Sequence, residues 1–232
     1  MTIAWHTAFF DAIRLELYPY RDVLSFEFEH PLNSQPLRID VLIIKKKPGI
    51  TIEQPIGAIF RTVNLIEYKS PKDHVSIADF HQVGAYARLY SVLNGVDIRD
   101  MTISFVAEAY PRELVHYLQE AYRYEVVEER AGIYQVKGDI VGIQLVESKR
   151  LDGEAGVWLQ GLRSGLNGEG LRAILERGIG MPKGAPLSAY MYVVLQANSP
   201  GFKEVLRMSE ASFEEVLEEF GLTTKWEAKG WK

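Results

Sequence analysis

The sequence predicts an α/β fold with a mainly helical C-terminal extension, and three observations carry that prediction. Apolar runs at Leu24–Glu29, Leu37–Lys45 and Val63–Lys69 are bounded by turns rich in Pro, Gly, Asn and Ser. A strongly capped helix follows them, and a fourth apolar run, Met101–Ala107, follows that helix. The resulting order (helix, three strands, helix, strand, helix) fills about the first 125 residues. The expected division is therefore a core over residues 1–125 and, over 126–232, a short strand meander with a helical extension packed on that core.

The first helix is expected over Thr7–Tyr18. Phe9, Ile13 and Leu17 recur every four residues and make an apolar stripe that Pro19 stops. Glu16, seven residues after Phe9, borders that stripe, whereas Asp11 points nearly the opposite way. Leu24–Glu29 alternates with period two, as a half-buried strand does. Leu37–Lys45 and Val63–Lys69 are apolar on both faces, which suits inner strands, with Asp40 the exception in the former. Ser76-Ile77-Ala78-Asp79 has the spacing of a capping box and Asn94-Gly95 supplies a stop, so a helix is expected between them, with Gly84 allowing close approach to a sheet. Pro111 opens a further helix to Tyr124. Beyond it, Glu125–Arg130 and Gly132–Val146 read as the meander, and helical patterns fill Glu154–Leu166, Gly170–Arg177, Leu187–Ala197 and Ser212–Phe220.

Composition narrows the function. Net charge is −5, spread evenly along the chain, which argues against a protein that coats nucleic acid electrostatically. Nucleic-acid contact would have to come from a local patch such as Lys45-Lys46-Lys47 with Arg61, Lys69 and Lys72. The longest apolar run, Ala189–Leu195, is far short of the roughly 20 residues that span a bilayer. With no cysteine and no visible signal peptide, a cytoplasmic location is expected. Phosphate-loop, dinucleotide-binding, serine-elbow and His-Glu-x-x-His motifs are all missing, and the five histidines show no metal-ligand spacing.

One constellation remains. Asp40 stands inside an apolar strand, where a carboxylate costs several kcal/mol unless it is paired. Glu67 and Lys69, two apart on another apolar strand, share a face. Two acids and a lysine on neighbouring strands suit a divalent-cation site. The same three residues suit a buried ion pair that only satisfies itself, and spacing alone leaves both open.

Asp40 followed by Glu67-Tyr68-Lys69 on the next strand, then a helix from Ser76, resembles the Asp…(Asp/Glu)-x-Lys signature of the PD-(D/E)xK nuclease superfamily. Within it the chain looks most like the recombination-promoting, transposase-associated nucleases. The resemblance covers about residues 5–110 and implies a restriction-endonuclease-like core. It also implies that Asp40 and Glu67 bind Mg²⁺ or Mn²⁺, that Lys69 is the catalytic lysine, and that the Tyr68 carbonyl is a further ligand. Glu16 matches a first-helix acid that some members add to the metal shell, and Gln82 matches a glutamine that some place beside the site, with Tyr86 one turn beyond. The chain departs from the pattern at Ile39, where the signature has proline.

The expected activity is metal-dependent hydrolysis of DNA phosphodiester bonds. The rival is a nuclease-fold protein that no longer cuts and serves as a DNA-binding or protein-interaction module. A homodimer is expected if both strands of a duplex are cut, because one site per chain must then be paired.

Overall fold

The computed structural model describes residues 3–27, 41–152, 156–201, 218 and 220–222. The chain divides into two compact units, Pro19–Gly156 and Met1–Tyr18 with Val157–Lys232. The first holds a seven-stranded mixed sheet, built from β1 (Leu24–Glu27), β2 (Val41–Lys46), β3 (Val63–Tyr68), β4 (Met101–Ala107), β5 (Glu125–Arg130), β6 (Ile133–Lys137) and β7 (Gly142–Glu147). The spatial order is β1-β2-β3-β4-β7-β6-β5. β1 to β3 are antiparallel, β3–β4 and β4–β7 are parallel, and β5 to β7 are antiparallel again.

Position in the sheet explains composition. β4 and β7 are buried at every residue, Thr102, Ser104, Gln144 and Glu147 included, while edge strand β5 carries Glu125, Glu128, Glu129 and Arg130 and is largely exposed. The sequence draws a boundary near residue 125; in the structure β5–β7 continue the same sheet across β4. β7 pairs with β4, β6 with β7 and β5 with β6, so the hydrogen-bonding groups of β7 and β6 are met on both sides, which an isolated meander would not achieve.

The helices are α1 (Trp5–Glu16), α2 (Ile77–Asn94), α3 (Arg112–Tyr122), α4 (Val157–Gln160), α5 (Gly168–Ile179) and α6 (Ser188–Ala197) among the described residues. Parallel pairing of β3 and β4 requires a crossover, and α2 makes it. Phe80, Val83, Ala87 and Tyr90 of α2 and Leu114, Val115 and Leu118 of α3 pack in one core with Ile43, Leu65, Ile103, Phe105, Ile143 and Leu145. Both ends of α2 form as the sequence predicts. Ser76 and Asp79 make a reciprocal capping box, and Gly95 ends the helix at φ +64. Gly84 departs from expectation: a Cβ there would meet the guanidinium of Arg88 at 3.3 Å, so no sheet backbone crowds it.

The other unit is helical. α1 is shifted from its expected span, running Trp5–Glu16, with Tyr18–Tyr20 in a short 3₁₀ turn that accommodates Pro19. Its buried face, Ala8, Phe9, Ala12, Ile13 and Leu15, packs with α4 and α6. Trp158 and Tyr190 meet edge-to-face at 5.3 Å, and the Tyr190 hydroxyl donates to the Trp158 carbonyl at 2.9 Å. No helix among the described residues is long and apolar enough to cross a membrane. The expected helix at Ser212–Phe220 lies almost wholly outside the described residues.

Asn64 fixes the start of β3 against both neighbours. Its amide donates to the carbonyls of Ile44 at 3.0 Å and Arg61 at 2.9 Å, while its Oδ1 accepts from Arg61 N–H and Thr102 Oγ1, both at 2.7 Å. The residue is fully buried, so removing the amide orphans several groups at once. Asn64→Leu is expected to destabilise the protein by roughly 2–5 kcal/mol in urea denaturation. Thr102→Val added to it should cost less than it does alone, because the threonine hydroxyl has by then lost its partner.

Candidate functional site

β3 ends beside β4, where the Lys69 N–H extends the ladder to the Val106 carbonyl at 2.9 Å. The chain then reverses through Ser70–Asp73, closed by Asp73 N–H on the Ser70 carbonyl at 2.9 Å. Pro71 and Lys72 fill the central positions. Lys72 has φ +75, a conformation that L-residues adopt at some cost. This tight reversal returns the start of α2 to the end of β3.

Lys69 is the meeting point. Its ammonium lies 3.0 Å from Glu67 Oε1 and 2.8 Å from Asp79 Oδ1, and all three side chains are less than one-fifth exposed. Asp79 Oδ2 accepts from the Ser76 N–H at 2.8 Å and the Ser76 hydroxyl at 2.7 Å. One carboxylate therefore caps α2 and holds the lysine. Burial opposes the charge on Lys69, but the hydrogen bonds and charges of Asp79 and Glu67 outweigh it and raise its pKa above the ordinary value. Asp79 shows the converse. Burial pushes its pKa up, while Lys69 and Ser76 together bring it below the usual carboxylate value. The ammonium is thus a fixed cation at neutral pH, suited to stabilising anionic oxygen and not to accepting a proton.

The structure brings together Glu67 and Lys69, as their spacing predicts, and adds Asp79. The capping-box spacing revealed Asp79, but only as a helix cap. Gln82, one turn along the same flank of α2, donates its amide to the Tyr86 hydroxyl at 2.6 Å. The Tyr68 ring is buried, and burial followed by the charge of Glu108 pushes its phenol up. Asp40 lies outside the described residues; Val41, which follows it, pairs with Glu67 in the β2–β3 ladder. Among the described residues, no group of three or more His, Asp or Glu side chains is gathered as a metal cluster.

Glu16 belongs to the helical unit. Its Oε1 accepts from the backbone N–H groups of Trp158 at 2.8 Å and Leu159 at 3.2 Å, at the start of α4. Burial raises its pKa to about 8, against the lowering effect of those two hydrogen bonds and of Arg177.

The basic patch read from sequence is split by the sheet. Lys45 pairs with Val63 at the start of β3, about 13 Å by strand rise from the level of Glu67. Lys45 is bonded to Glu27, and Lys46 and Lys47 donate to the carbonyls of Ile50 and Asp22. Arg61 donates to the carbonyl of Arg99 at 2.6 Å. Compared with protein-family models, curated proteins and solved structures, the chain matches none.

Glu16 supplies a test of the helical unit. Its folded pKa of about 8 lies above the ordinary 4.5, so the folded state holds the extra proton between those values. Its contribution to stability is full below about pH 4.5, falls as pH rises towards 8, and is flat above. Glu16→Gln keeps an oxygen for both N–H groups and cannot ionise. Its free energy of unfolding in urea should match wild type near about pH 5 and exceed it near about pH 9 by a few kcal/mol through linkage.

Proposed function

We propose that this chain is a metal-dependent nuclease that hydrolyses DNA phosphodiester bonds, with a restriction-endonuclease-like core formed by β1–β4 and α2. The observation that carries the reading is the protonated Lys69 held between Glu67 and Asp79 at the carboxyl end of parallel strands, the edge where open α/β sheets bind ligands. The succession of three antiparallel strands, a crossover helix and a parallel fourth strand supports it as well.

The donor set fits a hard divalent cation: the Glu67 carboxylate, the Tyr68 backbone carbonyl and the carboxylate of Asp40 would hold Mg²⁺ or Mn²⁺ through oxygen. Such an ion, when bound, lowers the pKa of a coordinated water and polarises the phosphoryl oxygen. The chain's own part is electrostatic. Lys69 keeps its proton, orients the attacking water by donating to it, and offsets the negative charge that grows on the phosphate oxygens. Asp79, which also bonds Lys69, would keep the ammonium anchored were Glu67 to serve the cation. Gln82 donates its amide to Tyr86, and its amide carbonyl would serve as an acceptor for water.

The second reading, a non-cutting DNA-binding or protein-interaction module, is favoured by the same ion pairs, because Lys69 is already satisfied by two carboxylates. Incubating the protein with single- and double-stranded DNA and millimolar Mg²⁺ separates the two. Cleavage is expected for wild type and should fall by about 100-fold or more in Lys69→Ala and in Asp40→Asn. Absence of cleavage in wild type favours the module, and cleavage that persists undiminished in both variants rules this site out as its source.

A further inference from the structure

The flank of α2 opposite Asp79 borders a cavity of about 220 Å³. Ile103 and Ile143 give it an apolar floor, and Phe80, His81 and Tyr122 give it an aromatic wall. The rings brace one another. Phe80 meets Tyr122 edge-to-face at 5.6 Å and His81 at 5.4 Å, and His81 Nε2 is hydrogen-bonded to the Tyr117 hydroxyl at 3.0 Å. Tyr122 and His81 nevertheless reach solvent.

Two polar groups line the same space with opposite roles. The Asp139 carboxylate is fixed by the Tyr124 hydroxyl at 2.7 Å and the Val141 N–H at 3.0 Å, and each oxygen has one further lone pair to offer. The Arg88 guanidinium, more than half exposed, donates to the Gly84 carbonyl at 3.0 Å and stands 3.8 Å from Asp139, too far for a hydrogen bond. An acceptor and a multiple donor therefore face a slot with an aromatic side.

A planar ring with π faces and a mixed donor–acceptor edge fits that combination, and an aliphatic or purely cationic ligand fits it less well. The charge distribution points the same way. A chain of net charge −5, whose lysine triplet is engaged by Glu27 and by backbone carbonyls, has little to offer duplex phosphates. Proteins that hold single strands instead gain much of their affinity by stacking bases on aromatic side chains.

We propose that this cavity takes one unpaired nucleobase, and that the nuclease site acts on single-stranded DNA. The proposal rests on the nuclease reading for its purpose but not for its test. Binding is measured without divalent metal, by fluorescence polarisation of a labelled single strand of about 12 nucleotides and of a duplex of the same length. The strand is expected to bind at least about 10-fold tighter than the duplex.

Gly84→Leu is the decisive variant. A Cβ at 84 meets only the Arg88 guanidinium, at 3.3 Å, so the leucine enters the cavity while the helix gains a better helix former. It should melt no lower than wild type and lose strand affinity by about 10- to 100-fold, with duplex affinity unchanged. Tyr122→Leu should lose strand affinity by about 5- to 100-fold, and Tyr122→Phe, which keeps the ring, should retain it. Millimolar dAMP or dGMP should compete with the strand.

Equal affinity for strand and duplex, or wild-type strand affinity in a Gly84→Leu protein that melts normally, overturns the inference and leaves the nuclease reading to its own cleavage assay. Mononucleotide binding without strand binding overturns it too, because the cavity then holds a free nucleotide. Binding of neither nucleic acid overturns the inference, and the nuclease reading is then decided by cleavage in Mg²⁺.

Discussion

Asp79 uses its two carboxylate oxygens for different purposes, and the junction of β3 with α2 depends on both. One oxygen accepts from the Ser76 N–H and hydroxyl and so fixes where α2 begins; the other accepts from Lys69 and so fixes where β3 ends. Helix start and strand end cannot drift apart without breaking a charge-assisted hydrogen bond in a largely buried setting. Because α2 is also the crossover that makes β3 and β4 parallel, the same carboxylate ties the local geometry of the lysine to the topology of the sheet. The cost of this arrangement is visible in the turn between them, where Lys72 is held at positive φ.

The strands and helices were legible where local chemistry decides them. Ser76, Asp79 and Gly95 mark α2 by capping rules that act within a few residues, and the mainly apolar runs of β3 and β4 announce burial on both faces. What sequence could not supply was pairing at a distance. Glu125–Lys137 alternates weakly because β5 is an edge strand, and nothing local says that β7 will pair with β4. The Gly84 contact was misread for a related reason: a glycine on a buried helix face suggests close packing, but here the space beside it is a cavity.

The candidate site was legible in half. Two residues apart on a strand puts Glu67 and Lys69 on one face by geometry alone, and the structure has them in contact. Asp79 was identified as a cap, yet its second oxygen meets Lys69 only because of a turn whose shape the letters Ser-Pro-Lys-Asp do not dictate. The lysine patch failed as a unit because Lys45 and Lys69 lie toward opposite ends of β3, a distinction invisible to composition. Glu16 was placed correctly at the border of an apolar stripe, but the groups it bonds lie 142 and 143 residues further on.

That separation has a temporal meaning. The helical unit is assembled from both ends of the sequence, with the whole sheet-bearing unit inserted between Tyr18 and Val157. α1 therefore emerges from the ribosome long before the segments that bury its apolar face, and its partners must close a loop of roughly 140 residues to reach it. The intervening unit has no such wait, since every strand neighbour lies within it. Synthesis thus imposes an order in which the sheet can consolidate first and the exposed stripe of Phe9 and Ile13 is shielded last. Through that interval α1 is the natural client of whatever holds nascent chains apart, and the carboxylate of Glu16 waits as a latch for a strike plate not yet made.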